Sequence, residues 1–331
     1  MKSVFKKIAL SLLVSSSFVA QAQTLVKMHH DMSVDSAQHD GALLFKELVE
    51  KNSQNQIKVD IYPNNALGND VEVAQQMQFG AVHAAPIPTA KLSGFNPTLQ
   101  FVDLPFLFPN REVAYQFMDG EVGQEILAGL RKSGFEPAMF WESGFKQFTC
   151  NHAVKSPADF AGRKVRVMES PMLIAQFKAM DARPIPISFT ETYTSLQQGV
   201  VECQENPLVS ITNMKFYEVQ DYLMLSNHGY LGTAFIFSKM WFDGLPKAQQ
   251  QILKQAAVEA GHYQRVQSEK REQAYLQTIS NAGGTDIIEL TASQMAEFKQ
   301  SMEPVYEKFG KQLGQKMMDK VLAEVDQLNA K

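Results

Sequence analysis

At 331 residues the chain has room for one large or two medium domains and for an ample core. A formal charge of -4 and the lack of any basic block argue against a nucleic-acid binder. The two cysteines, Cys150 and Cys203, form no C-x-x-C pair, which argues against redox catalysis and a zinc ribbon.

The chain opens on Lys2, Lys6 and Lys7, continues with an apolar run from Ile8 to Ala20, and offers Ala20-Gln21-Ala22 as a small-x-small cleavage site. This predicts a secretory leader over residues 1–22 and a mature chain from Gln23 with a charge of about -7 once the three lysines are gone. No later run is apolar for long enough to cross a bilayer, so the mature chain is expected to be soluble and periplasmic.

Leu25 to Met28 reads as a strand. Ala42, Leu43, Phe45, Leu48 and Val49 then recur at helical spacing, and Ile57 to Tyr62 alternates as a second strand. A helix is predicted from about Asp70 to Phe79, with Asp70 as its N-cap. Strands and helices in alternation predict an α/β fold. Phe101 to Pro109 is too rich in proline for a regular helix and is read as a buried core loop. Around Trp141 to Phe148 the pattern turns to strand, and a second α/β unit runs to about His228. Thr233 to Ser238 reads as a buried strand. Lys247 to about Asn281 predicts one long helix, closed by Gly283-Gly284, with Gly261 as a point where it can bend. At 1.5 Å per residue it spans roughly 50 Å, enough to brace two domains.

No two glycines stand two apart, which excludes a G-x-G-x-x-G loop, and no P-loop, G-x-S-x-G or H-E-x-x-H is present. His29, His30, Asp31, Asp35 and His39 cluster, but adjacent histidines on a strand face opposite ways, so a shared metal is not expected. Three polar residues stand out. Arg166 alternates with Val165 and Val167, and its planar fork matches a carboxylate, although spacing alone also fits a solvated arginine. Asn206 precedes Pro207 at a predicted strand end, where ligands collect in open α/β sheets. Lys146 lies between Phe145 and Gln147 on a predicted strand. Whether Cys150 and Cys203 pair is left open by the sequence.

With these residues in place, the chain resembles the extracytoplasmic solute-binding proteins of TRAP transporters. The resemblance runs through Tyr62-Pro63 to Leu67-Gly68, Asp103-Leu104-Pro105-Phe106, Gly162 to Pro171, Phe189 to Tyr193, Leu196 to Val201, Gln204-Glu205-Asn206-Pro207 and Phe216 to Gln220. His228 to Gly232 with Trp241 to Pro246 is most similar to the C4-dicarboxylate-binding branch. Glu202-Cys203, where the family carries Asp-Gly, and Met168-Glu169-Ser170 depart from the pattern.

The resemblance implies a two-lobed α/β binding fold with hinge strands and a long helix bracing both lobes. It implies lobe I from 23–144 plus about 232–265, and lobe II from 145–231 plus about 266–331 with the C-terminal helices. Arg166 is then the carboxylate clamp, Asn206 its companion, Phe189 a packing wall, and His30 and Asp70 polar neighbours of the ligand. Lys146 falls where dicarboxylate-binding members carry a lysine. The implied activity is capture of a small organic acid, a C4-dicarboxylate first, by a monomer that hands it to membrane subunits. A sugar acid, aromatic acid or 2-oxo acid on the same fold is the alternative, and a periplasmic enzyme acting on a carboxylic acid the rival of another class. No cofactor, metal or nucleic acid is implied.

Overall fold

The computed structural model describes residues 23–330; the predicted leader lies outside them. The first half runs β1 (Thr24–His29), α1 (Ala37–Asn52), β2 (Ile57–Tyr62), α2 (Asp70–Gln78), β3 (Ala84–Pro88), α3 (Arg111–Asp119), α4 (Glu121–Ala128) and β4 (Phe135–Cys150). It continues with β5 (Lys164–Val167), α5 (Pro171–Lys178), β6 (Arg183–Pro186), α6 (Thr192–Gln197), β7 (Cys203–Pro207), α7 (Leu208–Asn213) and β8 (Tyr222–Ser238). The chain ends with α8 (Lys239–Asp243), α9 (Lys247–Ala282), β9 (Asp286–Glu289), α10 (Ala292–Ser301), α11 (Glu303–Leu313) and α12 (Gln315–Asn329).

The strands form one mixed sheet in the order β2-β1-β3-β8-β4-β7-β5-β6, with β9 also beside β8. Its spine is the antiparallel ribbon of β4 and β8, which sequence periodicity foresaw only as shorter pieces. The two ends of that ribbon carry different neighbours. β3 pairs with residues 233–237 of β8, whereas β7 pairs with Lys146 to Cys150 of β4 and β9 with Tyr222 to Leu225 of β8. One end thus belongs to β1–β3 and the other to β5–β7 and β9, which gives the fold its two lobes. Between them the ladder is broken by a register shift at Glu142/Gly144, opposite Gly232 and Leu231. Gly144 has φ +110°, a conformation that side chains with a Cβ avoid.

A bulge leaves ladder groups unpaired. Gln264 of α9 repairs this one: the Glu142 amide donates to Gln264 Oε1 at 3.1 Å, and Gln264 Nε2 donates to the Glu142 carbonyl at 2.8 Å. The helix that braces the sheet is therefore fixed to the strand where the strand is irregular. It is 36 residues long, about 54 Å at the standard rise, and stops at Gly283 in the left-handed conformation. Gly261 lies where the helix meets β4. A Cβ there would lie 2.3 Å from Met139 Sδ and 2.5 Å from Trp141 Nε1, so the glycine serves close approach of helix to strand. Trp141, fully buried, donates from Nε1 to the Ala257 carbonyl at 3.2 Å.

The cap of α2 is Asn69, not Asp70. Asn69 Oδ1 accepts from the Glu72 amide and the Glu72 carboxylate accepts from the Asn69 amide, a reciprocal capping box. That frees the Asp70 side chain to turn inward, where it is fully buried. Cys150 and Cys203, opposite each other on β4 and β7, are joined by a disulfide. Phe101, Val102, Leu104, Leu107 and Phe108 are buried, as expected of a core loop. α12 lies against α3 and α4, with Glu324 accepting from the Val122 amide at 3.2 Å.

Candidate functional site

β5 presents Arg166 between two buried valines, and Arg166 is itself completely buried. Its Nε donates to the Ile187 carbonyl at 2.9 Å, which fixes the plane of the guanidinium. Nη1 and Nη2 have no hydrogen-bond partner among the described residues. Burial lowers its pKa to about 10, against the opposing fields of Glu205 and Glu169, and it stays charged at neutral pH. A buried, charged, planar fork with two unused donors is the complement of a carboxylate.

Asn206, the last residue but one of β7, is buried on a chain of polar side chains. Its Nδ2 donates to Gln204 Oε1 at 2.6 Å, and Gln204 Nε2 donates to Thr149 Oγ1 at 2.8 Å. The register pairs Arg166 with Gln204, so these residues share one face of the sheet.

Lys146 is paired within the protein. Its ammonium lies 3.0 Å from Glu205, whose same oxygen is 3.3 Å from His228 Nε2. The charge expected there for a second ligand carboxylate already has a partner. Burial pushes Glu205 up, but Lys146 and His228 outweigh it and hold the carboxyl below its usual range. His228 is kept neutral by burial, against the pull of Glu205, and stacks on Phe148 at 3.8 Å.

The other lobe contributes a second buried group of charges. Lys91, from the turn after β3, pairs with Asp70 and lies 3.8 Å from Asp31. Asp70 is also 3.2 Å from His29 Nε2. Burial raises Asp70, but Lys91 and His29 overcome it and hold it ionised; Asp31, with burial and Asp70 against it, is pushed up. Lys91 also stands 5.5 Å over the Phe189 ring, which brings the predicted packing wall of one lobe against a cation of the other. His30 turns away from Asp70 and sits 3.0 Å from His39 Nδ1, its pKa lowered to about 3 by burial and by His39 and His29. The opposite orientation of His29 and His30 matches the strand argument.

Sequence reasoning missed four members of this buried set. Glu205 and His228 lie inside quoted stretches but were not singled out. Lys91, in Pro88-Thr89-Ala90-Lys91, carried no local signal. Asp103 was absorbed into the core loop; its Oδ1 accepts from Thr89 Oγ1 at 2.7 Å, while Oδ2 is buried without a partner. Burial raises Asp103 to about 7, against the field of Lys146.

A buried arginine with two unpartnered donors suits a protein that binds an organic anion. Comparison with known proteins gives the family. Residues 28–312 match the profile of bacterial extracellular solute-binding proteins, family 7, also called DctP. The chain is 34% identical over 307 residues to the C4-dicarboxylate-binding periplasmic protein DctP of Rhodobacter capsulatus, covering 92% of each. A TRAP periplasmic solute-binding protein of Sulfurospirillum deleyianum, solved with bound succinate, superposes with TM-score 0.87 at 36% identity, over 91% of this chain and 99% of that one. The sugar acid binding protein DctPAm of Advenella mimigardefordensis, in complex with galactonate, gives TM-score 0.89 at 31% identity, over 92% and 99%. The chain belongs to this family, the periplasmic solute-binding proteins of TRAP transport.

Proposed function

We propose that this chain captures a small organic acid by one carboxylate, clamps it on Arg166 with Asn206 alongside, and delivers it to the membrane subunits of a TRAP transporter. The observation that carries this reading is the Arg166 fork, fully buried with Nη1 and Nη2 both unpartnered. An unpaired buried charge is costly, and a ligand carboxylate removes the cost with two parallel bonds. The succinate and galactonate held by two structural neighbours are both organic acids, which supports the class.

Residues 23–144 with about 232–265 form the first lobe and 145–231 with about 266–331 the second, with α12 reaching back over α3 and α4. They rotate about the ribbon crossing at Gly144 and Gly232. Closure removes water from the clamp and strengthens its electrostatics, and a ligand favours closure only through higher affinity for the closed form. Residues 1–22 act as a cleaved export signal and the mature protein works as a periplasmic monomer without chemical turnover; its buried Lys91 and Lys146 are each held by a carboxylate. Mass spectrometry of the acid that co-purifies, followed by titration of Arg166→Ala with that acid, tests the reading. A carboxylic acid that no longer binds the variant supports it; undiminished binding overturns it.

A further inference from the structure

The ribbon crossing carries a buried charge that the clamp does not use. Glu142 is the last residue before the register shift, and its side chain is fully buried. Its backbone is held on both sides by Gln264. Its carboxylate accepts from Tyr230 Oη at 2.5 Å and from Arg111 Nε, which lies 3.3 and 3.4 Å from the two oxygens. Arg111 comes from α3 and lies beside the crossing glycine: a Cβ on Gly144 would stand 2.8 Å from its Nη2. Its Nη1 donates to Glu272 in the far half of α9. Glu272 in turn borders a hollow walled by Gln147, Leu208, Leu225 and Asn227, all of the second lobe. One guanidinium thus joins the first lobe, the ribbon crossing and the second-lobe end of the bracing helix.

This junction is made with the lobes together. Arg166 and Asn206 of the second lobe and His29 and Asp70 of the first are all buried, and Lys91 of the first stands 5.5 Å over the Phe189 ring of the second. On the capture reading above, we propose that Arg111 is a positioning residue for binding: with Glu272 it straps the crossing in the closed form and sets affinity without touching the acid. Rotation about Gly144 carries Glu272 away with the second lobe while Arg111 stays with α3. The side chain of Glu142 is 0% exposed and that of Glu272 is 30% exposed, so Glu142 anchors the arginine and Glu272 is the partner that lets go. A contact made only in the closed form adds its free energy to every ligand that binds by closure.

The test is calorimetry and stopped-flow binding on the mature protein with succinate, galactonate, D-erythronate and any acid that co-purifies. Glu272→Gln should weaken every acid that binds by one common factor, about two- to fivefold, the usual worth of a partly exposed charge pair. The loss should fall on the dissociation rate, and the ratios between acids should not move. Arg111→Gln should repeat the loss, because its bond to Glu142 persists in both forms and cancels, and the double variant should add nothing further. High salt should weaken the parent protein more than Glu272→Gln, since only the parent has the strap to be screened.

A lower melting temperature with affinity per folded molecule unchanged would assign the pair to the fold alone and overturn the strap. Loss for one acid but not another would mean that the pair acts on the ligand, and tighter binding that it holds the open form; either result overturns the inference while leaving capture of an organic acid intact. No binding of any of these acids, with no carboxylic acid in the protein as purified, overturns capture itself.

Discussion

Two buried arginines in this molecule receive opposite treatment. Arg265, on the bracing helix α9, donates through Nη1 and Nη2 to Asp119 at 2.7 and 2.9 Å, adds the Phe140 carbonyl at 2.5 Å, and lies 4.8 Å over the Tyr115 ring. Arg166 is fixed by a single bond from Nε and its other two nitrogens are left without protein partners. The same side chain thus serves the fold where its Nη donors are used, with only Nε left unpartnered, and suits a ligand where they are withheld. Burial alone does not separate the two; hydrogen-bond accounting does.

Exchanging the two treatments should exchange the phenotypes. Arg166→Ala is expected to cost about 2–5 kcal/mol of ligand affinity, as for truncating one partner of a buried charge pair, while the melting temperature without ligand stays level or rises. Arg166→Lys should also lose affinity, since an ammonium cannot reproduce the fork. Arg265→Ala should instead cost about 1.5–3 kcal/mol of stability, the usual worth of charged hydrogen bonds, and leave affinity almost unchanged. Thermal unfolding and calorimetry on the same variants check both halves. A stability loss at Arg166 equal to that at Arg265 would erase the distinction.

Asp103 sharpens the comparison from the acidic side. It is a buried carboxyl, raised from the ordinary 3.8 to about 7 by burial. Between those values the folded protein holds a proton that the unfolded chain has released, so this group's contribution to stability falls as pH rises. At 1.36 kcal/mol per pH unit the loss approaches roughly 4 kcal/mol by pH 8. Asp103→Asn cannot ionise, so its melting temperature should gain on that of the parent protein from pH 5 to pH 8. A gap that is constant with pH would mean that Asp103 is ionised throughout.

The bracing helix gives a test in which binding should not move. Gly261→Ala puts a methyl group 2.3 Å from Met139 Sδ and 2.5 Å from Trp141 Nε1. The neighbours are held in a packed interface, so overpacking should cost about 1–3 kcal/mol. Denaturant titration should register the loss, with ligand affinity per folded molecule unchanged.

How much of this was legible follows from what each feature depends on. The ends of β2 and α2 and the span of α9 were read closely, because each rests on local pattern: alternation, a 3.6-residue period, and glycine after the last turn. The spine was read only in pieces, because a buried two-lobe ribbon interrupted by bulges has no single period. The close approach that Gly261 allows was not foreseen, since its contact with Trp141 depends on a partner 120 residues away. Arg166 and Asn206 were singled out through motif and strand-end position, and both are buried. The pairing of Lys146 with Glu205 was not foreseen, although the two residues sit in stretches already quoted. Side chains two strand positions apart in register meet only once β4 and β7 are paired. Lys91 and Asp103 had no pattern of their own to reveal them.

Asn206 should show the smallest of the expected effects and refine the clamp most closely. Its amide is already anchored, with Nδ2 on Gln204 Oε1, so it presents a fixed neutral group beside a charged fork. Asn206→Ala should reduce affinity by about 1–2 kcal/mol, the cost of one neutral hydrogen bond that leaves a polar partner short. Asn206→Asp has nearly the same shape but loses the donor and brings a negative charge beside Glu205 and the ligand carboxylate. It should reduce affinity by more than alanine does, because repulsion is added to the lost bond in a closed, low-dielectric site. Calorimetry on both variants with the co-purifying acid decides the matter. An aspartate as benign as alanine would place the ligand carboxylate away from Asn206 and leave Arg166 as its sole anchor on this face of the sheet.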